Sequence, residues 1–257
     1  MKNFFAGVIG AAALFSMPAS AADIPARMPA TVAPAQVFAY DWSGFYTSTS
    51  IGAVWQNVDG TYTPVSPADP FSTSRTRAWT GSHAGIQGQW GNWVLGLEGS
   101  YNSPLSNKYD SSNAGADCVT SALRSAGSCN ARIHDIWTGG GRAGYAFGNW
   151  MVYGSGGYAT GRIDTFRVGA AGAVTTSSRE RHNGWYAGAG IDWLVTRIWW
   201  SDLILGVEYR HVDLASKNHP DASGVVLFGS NVSATADMVM AKATFKWVGA
   251  GPFNAFK

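Results

Sequence analysis

From Gly81 to Tyr101, GSHAGIQGQWGNWVLGLEGSY, apolar and polar residues alternate with a period of two, broken only at Gly91-Asn92. Successive strand side chains point to opposite faces, so the alternation sorts them directly. One face carries Ala84, Ile86, Gly88 and Trp90, then Trp93, Leu95, Leu97, Gly99 and Tyr101. The other carries His83, Gln87 and Gln89, then Glu98, Ser100 and Asn102. This predicts two antiparallel strands joined by a tight turn. Trp90 and Trp93 stand together at the turn end of the apolar face, where amphipathic rings suit a membrane-water boundary.

The same pattern recurs along the chain. A first strand is predicted over Ser43 to Trp55, with Phe45, Thr47, Thr49, Ile51, Ala53 and Trp55 on one side and Tyr46, Ser48 and Ser50 on the other. Strand four covers Ile133 to Phe147, with Trp137, Ala143 and Tyr145 outward and Thr138 and Arg142 inward. A second Gly-Asn turn, Gly148-Asn149, lies between Phe147 and Trp150 and leads into strand five, Trp150 to Arg162, with Val152 outward and Tyr153 inward. Strand six, Asn183 to Trp193, and strand seven, Trp200 to Val212, flank a short connection at Val195 to Ile198. The last strand, Ala234 to Trp247, ends on Phe245-Lys246-Trp247. Four polar stretches separate the strands and read as long loops: Gln56 to Ala78 with its prolines, Ser103 to Asn130, Asp164 to Arg181, and Asp213 to Ser230.

Composition changes this picture in one respect. Charged residues make up 13% of the chain, about half the share of a soluble domain. Mean hydropathy is nonetheless close to neutral, and no apolar run after the N-terminus is long enough for a membrane helix. Low charge without helical spans fits strands with one face in lipid. A lipid-exposed sheet edge would leave backbone groups unpaired, so the sheet must close. The expected fold is therefore all-β: a closed antiparallel up-and-down transmembrane β-barrel of eight strands, with short periplasmic turns and long extracellular loops. Trp90, Trp93, Phe147, Trp150, Trp193 and Trp200 form its expected aromatic girdle.

The N-terminus reads as a secretory signal over residues 1–21: Lys2, an apolar run from Phe4 to Phe15, and the small residues Ala19-Ser20-Ala21. Residues 22–42 follow as a Pro/Ala-rich periplasmic lead-in without a core, 43–247 as the barrel, and 248–257 as a C-terminal tail. In an exported protein, Cys118 and Cys129 are expected to form a disulfide. The competing reading is a metal pair, for which no further ligands lie at a familiar spacing. With a net charge of +2 and no basic cluster, nucleic-acid binding is not supported.

Inward parity collects Glu98, Arg142, Asp192, Glu208, Arg210 and Lys242. An eight-stranded barrel has an interior only wide enough for side chains to fill, and unpaired buried charge is costly. Arg142 and Lys242 should therefore pair with Glu98 and Glu208. One reading is a salt-bridged plug, the other a gated narrow pore in which the pairs exchange partners. No catalytic residue is assigned: His211 and His83 lack a serine on the same face, Ser82 being adjacent and so opposite to His83.

Several segments resemble the small outer-membrane β-barrel family of alphaproteobacteria, which includes porin-like surface antigens and haemin-binding proteins and is similar in architecture to the outer-membrane protein A barrel. They are Asp41-Trp42-Ser43-Gly44-Phe45-Tyr46, Trp93-Val94-Leu95-Gly96-Leu97-Glu98-Gly99, Gly139 to Ala146 (GGGRAGYA), Gly184-Trp185-Tyr186-Ala187-Gly188-Ala189-Gly190, and Gly206-Val207-Glu208-Tyr209-Arg210. The resemblance covers the strands and not the loops, and its specificity lies in the order of the segments. It implies a cell outer-membrane protein with no cofactor of its own, in contact with outer-membrane lipid, lipopolysaccharide and the barrel assembly machinery. For that machinery Phe245 and Trp247 are the candidate signal, with Phe256 the alternative. It also makes haemin a possible ligand, with His134, His182 and His219 in or beside outer loops. The expected role is structural and at the surface, the alternative a narrow channel or haemin-binding protein.

Overall fold

The computed structural model describes residues 40–62, 69–106, 127–169, 174–198, 200–219 and 230–247. Eight strands follow one another in chain order: β1 (Gly44–Tyr62), β2 (Asp69–Trp90), β3 (Trp93–Pro104), β4 (Gly127–Phe147), β5 (Trp150–Gly169), β6 (Val174–Ile198), β7 (Ser201–His219) and β8 (Ser230–Trp247). Each pairs antiparallel with the next, and β8 pairs with β1, so the sheet is a closed barrel. Closure leaves no strand edge facing lipid.

Gly91 and Gly148 take φ of 60° and 62°, while Asn92 and Asn149 do not enter positive φ. Gly at the first central position is the requirement of a II′ hairpin, whose twist matches that of the flanking strands. At this end of the barrel Trp90, Trp93, Phe147, Trp150, Trp193 and Trp200 are all exposed on the outer wall. Trp150 stacks on Trp193 with ring centroids 5.4 Å apart, and Trp200 lies 5.3 Å from Trp247. A second ring of exposed aromatics (Trp55, Trp137, Tyr158, Trp185 and Tyr209) circles the wall further up. Eight residue steps separate the rings from Trp150 to Tyr158 and ten from Phe147 to Trp137. At the rise and tilt of barrel strands this is roughly 20–25 Å, the height of a lipid-facing band. Ile51, Leu95, Leu97, Val152, Ile191, Leu205 and Val207 fill the wall between the rings and are exposed.

The strands are longer than the band requires. They run from 12 residues in β3 to 25 in β6, whereas about 9–11 residues cross a bilayer. The excess lies beyond the second ring, and the polar stretches read as loops are largely strand. Gln56–Tyr62 belongs to β1 and Asp69–Ala78 to β2, with Pro70 opposite Thr61. Asp164–Gly169 and Val174–Arg181 continue β5 and β6, and Asp213–His219 continues β7. Residues 127–130 begin β4 and Ser103–Pro104 end β3. The reason is physical. Above the band the outer wall faces water and carries Asp59, Ser72, Ser74, Thr76, Arg181 and Asn231, while Val58, Ile133, Ile163, Val212, Leu214 and Val232 turn inward and are buried. The alternation persists with its outward apolar half missing. Pro70 is tolerated because β2 below Trp79 in number pairs only with β1 among the described residues, so a ladder donor on the β3 side is not needed there.

The connection predicted at Val195 to Ile198 is also strand, with Val195 forming an irregularity in the β6–β7 ladder between Leu194 and Thr196. Further register shifts fall at Ile133/Asp135 and at Leu214/Lys217. Both lie at the outer end, as bulges at barrel rims commonly do. The signal at 1–21, the lead-in up to residue 39, Cys118 and the tail with Phe256 lie outside the described residues; Cys129 stands in β4.

Candidate functional site

Half-way along the band, six charged side chains from five strands meet inside the barrel. Glu98 of β3, Arg142 of β4, Asp192 of β6, Glu208 and Arg210 of β7, and Lys242 of β8 are all buried. Lys242 Nζ lies 2.8 Å from Glu208 Oε2 and 3.6 Å from Glu98 Oε2. Arg210 reaches Glu98 Oε1 at 2.9 Å and also pairs with Glu208. Arg142 pairs with Asp192 and stands 3.7 Å from Glu98. Three cations thus face three carboxylates, and Glu98 touches all three cations. Hydroxyls complete the set: Tyr46 donates to Glu98 and Tyr153 to Glu208, each at 2.9 Å. Arg210 donates to Ser100 and Thr138.

The two tyrosines fit because of two glycines. A Cβ on Gly85 would overlap the Tyr46 ring, and one on Gly190 the Tyr153 ring. Each phenol lies flat against a wall without side chains and is aimed at a carboxylate. Arg142 stacks its guanidinium over Tyr153, 3.7 Å from the ring centre, a favourable geometry for a cation on an aromatic face.

The charged layer is capped at both mouths. Towards the outer end lies an apolar cluster including Val54, Val58, Trp79, Ile133, Ile136, Ile163, Val212, Leu214 and Met238. Towards the turn end lies a second one, of Tyr40, Trp42, Val94, Ala146, Met151, Tyr153, Leu194 and Ile204. The ion-paired layer thus lies between two clusters rich in apolar side chains, among which Gln56, Arg75, Gln87, Asp202 and Lys246 are also buried. Tyr40 and Trp42 come from the segment expected to be a lead-in without a core. Gln87 donates to the Trp42 carbonyl and Gln89 accepts from its amide, both at 2.7 Å. The Tyr40 hydroxyl donates to Asp202 at 2.6 Å, and Lys246 donates to the Asp41 carbonyl at 2.5 Å. Sequence parity places Lys246 and Gln87 inward, but nothing in the sequence shows that their partner is the preceding chain rather than another strand.

Three ligand atoms, on His83, Glu98 and Glu208, lie within 4.8 Å of one another. They do not make a metal centre as they stand, because Lys242 and Arg210 already occupy the carboxylate oxygens. His83 is itself held between Ser50 at 3.0 Å and Glu98 at 3.3 Å. On the outer wall His211 has a carboxylate partner the sequence reading missed: Nδ1 is 2.8 Å from Asp237, which also accepts from Tyr209 at 2.7 Å. Register pairing of β7 with β8 would reveal it; strand assignment alone does not. His134 sits in the β4 bulge. His182 and His219 are buried inside the outer end rather than displayed on loops. Phe245 faces outward in the girdle, and Trp247 pairs with Phe45 and Ser201 at the seam.

Among solved structures the chain is similar to Ail, the attachment invasion locus protein of Yersinia pestis, at 11% identity over 79% of this chain and 99% of that one, with a TM-score of 0.39. It is similar to Neisserial surface protein A at 11% identity, covering 80% and 98%, with a TM-score of 0.38. The outer membrane protease OmpT of Escherichia coli aligns at 8% identity, 81% and 98% coverage and a TM-score of 0.43. No curated protein matches the sequence. Residues 8–236 match the family described as outer membrane protein beta-barrel domain. With eight strands closed into a ring, an aromatic-bounded apolar wall and that match over most of its length, the chain belongs to the outer membrane protein beta-barrel domain family and is a protein of the outer membrane.

Proposed function

We propose that this protein is a non-conducting, non-enzymatic structural component of the outer-membrane surface, of the porin-like surface-antigen kind found in alphaproteobacteria. The observation that carries the proposal is the layered interior: three cations and three carboxylates paired with each other, between apolar caps at both mouths. An ion crossing it would have to part both caps and the paired layer. In planar bilayers the purified protein should give a closed trace. Discrete conductance steps would overturn the reading and favour a narrow channel in which the six charges exchange partners.

The outer wall supports the lipid contacts in this reading. Arg162, Arg179 and Arg181 stand above the second aromatic ring, at the level expected for the anionic headgroups of lipopolysaccharide. Phe245 and Trp247 serve as the signal to the barrel assembly machinery. Catalysis is left out because the neighbours of His211 on the outer wall, Trp185, Ala187, Tyr209, Asp213 and Asp237, include no serine, threonine or cysteine, and the Tyr209 hydroxyl donates to Asp237 rather than to the imidazole. Haemin is left out because the Nε2 atoms of His182 and His219 are 2.7 Å apart, with no room for a porphyrin between them.

A further inference from the structure

Above the outer apolar cluster, the imidazoles of His182 on β6 and His219 on β7 face each other within the barrel. Both are buried at 1% exposure. Their ring centroids are 5.0 Å apart and their Nε2 atoms 2.7 Å. The other nitrogen of His182, Nδ1, donates to the Ala215 carbonyl at 2.9 Å, so its Nε2 presents a lone pair. His219 Nδ1 lies 3.4 Å from the Thr165 hydroxyl, which has the Ser178 carbonyl as an acceptor at 3.4 Å. In the metal-free protein the 2.7 Å contact is a hydrogen bond, His219 Nε2 donating to the Nε2 lone pair of His182; a metal ion would replace that one proton and take both lone pairs. Thr165 then directs its proton to Ser178, and His219 donates from Nδ1. An Nδ1–H anchored on a backbone carbonyl or hydroxyl, with Nε2 left to coordinate, is the usual arrangement of metal-binding histidines.

A carboxylate on the same inward face can supply a third ligand once its side chain turns, its oxygens standing outside the mutual reach of the two imidazoles in the metal-free protein. Glu180 is two residues before His182 on the same unbroken stretch of β6, and so on the same inward face. Its negative charge acts on both imidazoles. In the absence of a metal it holds Lys217 at 2.8 Å, and Lys217, whose side chain is half-exposed, can release it into water. We propose that His182, His219 and Glu180 form a binding site for a divalent transition-metal ion of the zinc type at the outer mouth of the barrel. Zinc–nitrogen bonds of about 2.0–2.1 Å in a tetrahedral set place the two nitrogens roughly 3.3 Å apart. The rings need separate by only about 0.6 Å from where they stand, and water completes the coordination.

The site differs from the His83, Glu98 and Glu208 group in the middle layer, where buried Lys242 and Arg210 already supply the positive charge. At the outer mouth the neighbouring cation is Lys217, half-exposed and also bonded to the Arg181 carbonyl at 3.1 Å, so water can take the place of Glu180 on its ammonium. Imidazole and carboxylate ligands suit zinc, nickel and copper rather than magnesium or calcium.

The test uses the full-length mature protein, refolded without an affinity tag. Titration with Zn2+ by calorimetry, and with Co2+ followed by its visible absorption, should show one saturable equivalent. His182→Ala and His219→Ala should each weaken binding at least tenfold, Glu180→Gln several-fold, and His83→Ala and His211→Ala not at all. Heat-modifiable migration establishes that each variant is a closed barrel. Should the histidine variants fail to close, His219→Gln and the Zn2+-induced shift of the wild-type histidine ring resonances take their place. Absence of a one-equivalent site in the wild type, or unchanged affinity in both histidine variants, overturns the proposal.

Discussion

Glu98 is where the pairing argument is most exposed to test. Its Oε1 accepts from Arg210 at 2.9 Å and faces His83 Nδ1 at 3.3 Å. Its Oε2 accepts from Tyr46 at 2.9 Å and stands 3.6 and 3.7 Å from Lys242 and Arg142. Glu98→Gln keeps the shape of the side chain and removes its charge, leaving three cations against Glu208 and Asp192. Breaking a buried ion pair from one side costs about 3–5 kcal/mol, because the partner left behind cannot recover its hydration. The apolar caps deny it water here, so the expected loss lies in that range. The second variant separates charge balance from lost contact: adding Lys242→Met to Glu98→Gln restores two against two and removes more contacts. It should nevertheless recover at least half of the loss. The assay is urea unfolding of the barrel in phospholipid vesicles, followed by tryptophan fluorescence and heat-modifiable migration, with folding and unfolding curves superimposed. Asp59→Asn on the exposed wall serves as the control and should stay within about 0.5 kcal/mol. A Glu98→Gln variant as stable as the control, or a double variant weaker than the single one, would refute the charge-balance reasoning.

Trp42→Ala empties the centre of the turn-end cap and should cost about 3–5 kcal/mol in the same urea assay, although the residue precedes the first strand; an unchanged midpoint would mean that the segment does not seal the barrel. Gly190→Ala pushes the Tyr153 ring from its place beside Glu208 and should cost about 1–3 kcal/mol, with a change in near-ultraviolet circular dichroism that a surface Gly→Ala lacks. Acid should loosen the outer end of β5 and β6 selectively. Burial alone would raise the Asp164 carboxyl, but the Arg179 and Arg132 guanidiniums outweigh it and hold the group below the usual carboxylate range. A lowered folded value means that the unfolded chain binds the proton more readily, so the stabilisation is complete above about pH 4 and disappears as pH falls through the folded value. Amide exchange around Asp164 should speed up between pH 5 and pH 3 in the wild type beyond the intrinsic change, and much less in Asp164→Asn.

How much of this was legible depended on which solvent each face meets. Between the aromatic rings the outer wall is in lipid, so Leu95, Leu97, Ile191 and Val207 announce the strands, and parity alone sends Glu98, Arg142, Asp192, Glu208, Arg210 and Lys242 to the same side. Beyond the second ring the solvent of the outer wall changes to water. There Ser72, Ser74 and Thr76 alternate with Thr73 and Arg75, and no apolar stripe marks a strand. The inward residues of other strands, such as Val212, Leu214, Val232 and Ala234, hold the signal instead, two or three strands away around the barrel and far away in sequence. The partnership of His211 with Asp237 and the meeting of His182 with His219 were hidden for a related reason. The first depends on the pairing register of β7 with β8, and the second also on the shift at Leu214/Lys217, which cannot be counted from the strand's own residues.

The layering also explains why the charge balance inside this barrel has to be close. In an open polar lumen, water would hydrate an odd charge and an imbalance would cost little. Here Trp42, Met151 and Ile204 lie on one side of the charged layer and Val54, Val212 and Met238 on the other. The six groups must then satisfy one another, with tyrosine, serine and threonine hydroxyls supplying the remaining hydrogen bonds. The two caps are independent lesions in consequence. Removing Trp42 should admit water to one face of the charged layer and leave the outer cluster intact, so on the proposed non-conducting reading this variant stays closed in planar bilayers. These three successive layers are what supports the proposed non-conducting role.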